Sequence, residues 1–157
     1  MAHVLVVDNQ PDIRGILEIA LTELGSYRVS AAATADDALS ILRDARPDLV
    51  LLDALTPGML PLEFALDAVR RGIPILVMSG HPGAIETLDQ VGCPYLRKPF
   101  HLDQLLLECA AAILQHKQNL AVVRAALERL RADRADLARL VRPAQQALDR
   151  SRQRPDK

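Results

Sequence analysis

The sequence predicts an α/β fold, a doubly wound five-stranded parallel sheet with an extended C-terminal helix. Three observations carry this expectation. Five short apolar runs alternate along the chain with five amphipathic segments at helical spacing, the pattern of a parallel sheet covered by helices on both faces. The main runs are nearly continuous, as in HVLVVD (3–8) and DLVLLD (48–53), because a strand buried on both faces has no reason to alternate. Beyond His101 an apolar heptad continues past the point where such a domain should end.

The elements follow in order. HVLVVD (3–8) is the first strand. Pro11 stands at a helix-start position, IRGILEIALTEL carries the helical periodicity, and Gly25 stops it. YRVSAA (27–32) is a second, weaker strand. Thr34 opens TADDALSILRDA, and Thr34 with Asp37 resembles a capping box in which Asp replaces the usual Glu. Pro47 closes that helix, and DLVLLD (48–53) is the third strand. A loop with Pro57, Gly58 and Pro61 leads to a helix over 62–71, then come the strand IPILVMSG (73–80), a helix over 83–90 and a short strand within PYLRKP (94–99).

The last helix starts at His101. Leu106, Ile113, Leu120, Leu127, Arg134 and Val141 recur every seven residues, and Leu102, Cys109, His116, Val123, Leu130 and Leu137 form the partner series. A single helix from 102 to 141 is about 60 Å long at 1.5 Å per residue. Pro143 is expected to break or kink it, and the end of the chain, DRSRQRPDK, to fray. The expected organisation is a domain over 1–117 and a helical extension over 118–157.

Composition narrows the function classes. Half of the 157 residues are hydrophobic, enough for one core, and that core must be aliphatic, since there is no Trp and only two Phe and two Tyr. No apolar run is long enough for a membrane span, and the N-terminus lacks the layout of a signal peptide, so a cytoplasmic location is expected. Cys93 and Cys109 have no metal-ligand spacing and read as small apolar side chains. Net charge is −1, but residues 1–117 hold 15 acids against 9 bases and residues 118–157 hold 5 acids against 10. An acidic body thus carries a basic tail. The tail arginines alternate with acids, and no helix-turn-helix, zinc site or aromatic platform accompanies them, so nucleic acid is not an expected partner.

In an open parallel sheet the active crevice lies beyond the carboxyl ends of the strands. The residues there are Asp8 and Asn9, Asp53, Ser79 and Lys98. Singly each is an ordinary turn or cap residue; together they are chemically coherent. Asp53 is a carboxylate nucleophile of the kind that forms an acyl phosphate. Asp8, Asp53 and the Asn9 amide offer hard oxygens to a divalent cation that would offset the charge of an incoming phosphoryl group. Lys98 offers a point charge, and Ser79 a hydroxyl, to phosphate oxygens.

Four motifs in order, VLVVDNQPDIR, PDLVLLDALTPGM, PILVMSG and YLRKPF, resemble the receiver domain of bacterial two-component response regulators over about residues 3–117. The resemblance implies a flavodoxin-like sheet of strand order 2-1-3-4-5. It implies Asp53 as phospho-acceptor and Mg²⁺ as cofactor, held by Asp8, Asn9, Asp53 and the backbone carbonyl of Leu55. It further implies Lys98 as the phosphate-contacting lysine, Ser79 and Tyr95 as switch residues, a cis bond before Pro99, and a histidine kinase or phosphotransfer protein as donor. Two departures stand out. The family usually has a second acid where Asn9 stands, so weaker Mg²⁺ binding is expected. Leu60-Pro61 replaces a common Asp-Gly pair, with structural consequences only. Thr56 reads as a turn residue, His81 as a solvated loop histidine, and His116 as a packed seam residue rather than a phospho-accepting one.

The expectation is therefore a phosphorylatable receiver that signals by protein contacts without a DNA-binding output domain, and that forms a homodimer through the C-terminal helix. The alternative is a pseudo-receiver, a phosphate-independent dimerisation or binding module, which Asn9 alone supports. A phosphatase of the haloacid dehalogenase type is disfavoured, because Leu55 stands where its general acid is required.

Overall fold

The computed structural model describes residues 1–56 and 61–152, with side chains omitted at some positions of the helices Pro61–Arg70 and Leu102–Arg152. The loop expected around Pro57 and Gly58 lies outside the described residues. Five parallel strands, β1 (His3–Val7), β2 (Arg28–Ala32), β3 (Leu49–Asp53), β4 (Ile75–Ser79) and β5 (Tyr95–Arg97), form one sheet of order β2-β1-β3-β4-β5. The helices are α1 (Pro11–Ile19), α2 (Ala35–Asp44), α3 (Pro61–Arg70), α4 (Pro82–Val91) and α5 (Leu102–Arg152). Apart from the C-terminal ends of α1 and α5, boundaries differ from the sequence expectation by at most two residues.

The continuous apolar strands divide their side chains between two cores with a period of two, as pleating requires. Leu5, Val7, Val50, Leu52, Ile75 and Val77 pack with α2, α3 and α4 around Phe64. Val4, Val6, Leu49, Leu51, Leu76 and Met78 pack with α1 and α5. The chain reverses its winding between β1 and β3, so the crevice beyond the carboxyl ends of those two strands is the predicted site.

Local signals explain most helix ends. Thr34 Oγ1 accepts the Asp37 N–H at 3.1 Å and caps α2. Pro11, Pro61 and Pro82 each occupy the first turn of a helix, where their missing N–H costs nothing. One feature had no signal in the sequence: α1 ends in a π turn over Ala20–Leu24, closed by the Gly25 N–H on the Ala20 carbonyl at 3.2 Å. Gly25 is required there, because a Cβ would sit 2.6 Å from the Tyr27 ring.

Two expectations about α5 need correction. First, the helix does not end at Pro143 but continues to Arg152. Proline removes one donor and crowds the preceding turn, at about 3 kcal/mol, while Ala, Leu, Arg and Gln on both sides favour helix. Second, the heptad seam is not one surface. Cys109 and Ile113 are buried in the α1-side core beside Leu105, and Leu106 is partly buried there. His116 Nε2 pairs with the Gly72 carbonyl at 2.9 Å, in the turn before β4, where Gly72 has φ +69°. The chain divides into two compact units, Met1–His116 and Lys117–Lys157. In the second, Leu120, Val123, Leu127 and Leu130 are 47–58% exposed. The side chains of Arg134, Leu137 and Val141 lie outside the described residues.

A polar cluster sits at the opposite end of the sheet from the crevice. His3 is buried; its Nδ1 accepts from Arg28 at 3.1 Å, which leaves Nε2–H to donate to Ser30 Oγ at 2.9 Å. Burial, then the Arg28 charge, hold the His3 pKa below its ordinary 6.5, against a smaller opposing pull from Asp48. The folded state therefore favours the neutral ring, and the stabilisation is complete above pH 6.5. It is lost as pH falls through the depressed folded value. Thermal melts should show stability dropping as pH falls from 6.5 through that lowered value, with a shallower drop in His3→Gln; equal slopes would exclude His3 as the source.

Candidate functional site

The strand ends deliver the predicted residues to one crevice of about 880 Å³. Its polar part is lined by Asn9, Asp53, Ser79 and Lys98, and its apolar wall by Ile13, Ile16, Phe100 and Leu102. Asp53 closes β3 and is 7% exposed; Asp8 follows β1 and is 1% exposed. Two carboxylates at such depth need a counter-charge. Lys98 supplies it: its Nζ lies 2.8 Å from Asp53 Oδ1 and 3.7 Å from Asp8 Oδ2. The first distance is a hydrogen bond and the second only an ion-pair distance. Asp8 Oδ2 is accordingly a buried oxygen with no hydrogen-bond partner. Its sister Oδ1 accepts the Gln10 N–H at 2.9 Å.

Backbone pairing holds the lysine in place. The Lys98 N–H donates to the Ser79 carbonyl at 2.8 Å, extending the β4–β5 ladder to the rim, and the Lys98–Pro99 bond is cis. Gly80 packs beside it, where a Cβ would make ordinary contact with Lys98 Cβ at 3.4 Å. Ser79 is buried and its Oγ accepts the His81 N–H at 3.2 Å. Leu55 also lines the crevice, with its side chain 69% exposed.

Two residues do not join the cluster. Tyr95 turns its hydroxyl to Asp89 of α4 at 3.3 Å, and this bond, more than burial, raises its pKa above 10. Thr56 is buried in the turn after β3, where its Oγ1 donates to the Val7 carbonyl at 3.4 Å. One contact was missed from sequence: Arg14 Nη1 donates to the Asp8 carbonyl at 2.8 Å. An arginine early in a helix otherwise reads as a solvated residue.

The residues at the rim offer oxygen donors of the kind a hard cation takes. Asp8 and Asp53 give carboxylate oxygens, Asn9 an amide oxygen and Leu55 a backbone carbonyl. Among the described residues no group of three His, Cys, Asp or Glu side chains could hold a metal. The unpartnered Asp8 Oδ2 suits a cation that keeps several waters.

The family model of the response regulator receiver domain matches residues 4–110. NtrX, a nitrogen assimilation regulatory protein of Azorhizobium caulinodans, is 36% identical over 117 residues, covering 68% of this chain and 25% of the relative. KdpE, a transcriptional regulatory protein of Mycobacterium tuberculosis, is 34% identical over 118 residues, covering 72% and 51%. The chain thus spans a quarter to a half of the curated relatives it matches. Among solved structures, TrrA of Thermotoga maritima in complex with Mg²⁺–BeF is 29% identical with a TM-score of 0.64, over 71% of this chain and 99% of that one. Fold, strand order, strand-end chemistry and family match agree: the chain belongs to the response regulator receiver domain family.

Proposed function

We propose that the chain accepts a phosphoryl group on Asp53 and transmits the change through protein contacts. The observation that carries this reading is the Lys98 ammonium 2.8 Å from Asp53 Oδ1 beside an unpartnered, buried Asp8 oxygen. The donor is the phospho-histidine of a histidine kinase or phosphotransfer protein, or a small phosphodonor. An Asp53 oxygen forms the new P–O bond as the P–N bond breaks, and the imidazole leaves with that electron pair and takes up a proton. Lys98 holds charge on the phosphoryl oxygens as they arrive. The Ser79 hydroxyl proton is free to be donated to one of them, since Ser79 Oγ only accepts in its bond from His81.

Mg²⁺ would be held by Asp8, Asn9, Asp53 and the Leu55 carbonyl, and when bound it supplies positive charge against the crowded anions. TrrA, whose structure holds Mg²⁺–BeF, lends this support by likeness. Asn9 lowers the pocket's negative charge and with it the expected Mg²⁺ affinity. Ile16 on α1 is exposed and lines the crevice, an apolar border suited to a docking donor protein.

The phosphoryl group adds about −1.5 to −2 charges. Ser79 moves toward it and draws the β4–α4 loop inward, and Tyr95 exchanges its Asp89 contact for the vacated space. The exposed stripe Leu120, Val123, Leu127 and Leu130 pairs with a second copy of the chain.

Acetyl phosphate with Mg²⁺ should yield one phosphoryl adduct, mapped to Asp53 by mass spectrometry. No adduct at saturating Mg²⁺ removes the proposal and leaves the phosphate-independent binding module. Light scattering with and without beryllofluoride should report a dimer in at least one state; a monomer in both sinks the pairing of the helices.

A further inference from the structure

The loop between β1 and α1 carries Asp8 and Asn9, and its backbone is gripped from α1. Arg14 Nη1 donates to the Asp8 carbonyl at 2.8 Å. Asp8 is also held by its own N–H on the Ala32 carbonyl at 3.1 Å and by the Gln10 N–H on its Oδ1 at 2.9 Å. Asn9 and Gln10, just beyond, are exposed. The guanidinium bond is charge-assisted and about twice as strong as a neutral one.

We infer that Arg14 is a positioning residue for the phosphorylation site: it fixes the Asp8 peptide, and through it the aim of the Asp8 carboxylate and the Asn9 amide at the cation. The inference rests on the reading of the crevice as a Mg²⁺-assisted phosphorylation site. It matters more here than in a loop with two acids. A second carboxylate attracts a cation by charge even from a loose loop. A neutral amide oxygen does so only where it already points correctly, so more of the affinity must come from a fixed backbone.

A rival role for Arg14 is electrostatic, a cation that repels the metal. The two roles predict opposite signs. Loss of an anchor weakens Mg²⁺ binding, whereas loss of a repelling charge tightens it. The geometry favours the anchor. Arg14 is half-buried, does not line the crevice, and commits its guanidinium to a carbonyl oxygen behind the loop.

The test uses the full ¹⁵N-labelled chain, titrated with Mg²⁺ and followed by amide shifts in the native protein, Arg14→Met and Arg14→Lys. Arg14→Met should raise the Mg²⁺ dissociation constant about tenfold, the lower end of the range for groups that orient metal ligands. Arg14→Lys, which keeps the charge and can reach the carbonyl, should show a smaller rise. Amide exchange at Gln10 should accelerate in Arg14→Met, while that of Asp37, capped by Thr34 elsewhere in the fold, should not. Unchanged or tighter Mg²⁺ binding, or unchanged Gln10 exchange, overturns the inference. Should Arg14→Met fail to fold, the same two readouts on Arg14→Lys decide it. A native protein that binds no Mg²⁺ and takes no phosphate removes the functional reading instead, and Gln10 exchange still decides whether Arg14 holds the loop.

Discussion

Lys98→Met will cost the protein both stability and phosphorylation rate. The methionine matches the lysine stem but leaves Asp8 and Asp53, at 1% and 7% exposure, side by side without a cation. Removing one partner of a fully buried pair costs about 3–5 kcal/mol. The Lys98 side chain is 32% exposed, so water screens part of that loss, and about 1–3 kcal/mol is the expected range. Phosphorylation by acetyl phosphate should slow by roughly 10²–10³, the usual cost of one preorganised charge-stabilising group. Added Mg²⁺ should restore more stability to the variant than to the native protein, because a divalent cation replaces the missing charge. Equal gains in the two proteins, read as melting-temperature shifts, would show that the cation does not enter between these carboxylates.

Asp53→Asn will abolish the phosphoryl adduct while keeping the fold. The amide oxygen is no nucleophile, and no other carboxylate of the cluster can substitute, since Asp8 lies at the floor of the site with 1% exposure. Stability should change by about 1 kcal/mol or less, because the partly exposed Lys98 keeps Asp8 as its counter-charge. Intact-mass measurement after incubation with acetyl phosphate checks this directly. An adduct that persists in Asp53→Asn would place the acceptor elsewhere.

Much of this architecture was legible in the sequence because its signals are local. A strand buried on both faces must be an apolar run, and HVLVV and LVLLD are such runs. The strand-end rule then placed Asp8, Asp53, Ser79 and Lys98 on one rim. The parts that stayed hidden depend on contacts between distant segments. Arg14 meets a carbonyl six residues away, across a loop whose path the sequence does not specify. His116 carried a heptad position and was read as seam, yet it meets Gly72, 44 residues earlier. Cys109 and Ile113 fit the same periodicity for a different reason: a core-facing helix stripe and a coiled-coil seam share their spacing over two turns. At Pro143, where a break or a kink was expected, the helix runs on to Arg152 among strong helix formers on both sides.

The length of α5 has a kinetic meaning. Helices are cooperative, with a costly nucleus and inexpensive propagation. The first turns of α5 are anchored in a core by Leu105, Cys109 and Ile113, so the nucleus is supplied by the receiver itself. Beyond Lys117 each further turn needs only propagation, but it has solvent instead of a core to close on, as the exposure of Val122 and Leu127 shows. Protection of that stretch against proteases and amide exchange is thus borrowed from whatever covers its apolar side, and its lifetime in a protease digest is a clock for partner occupancy.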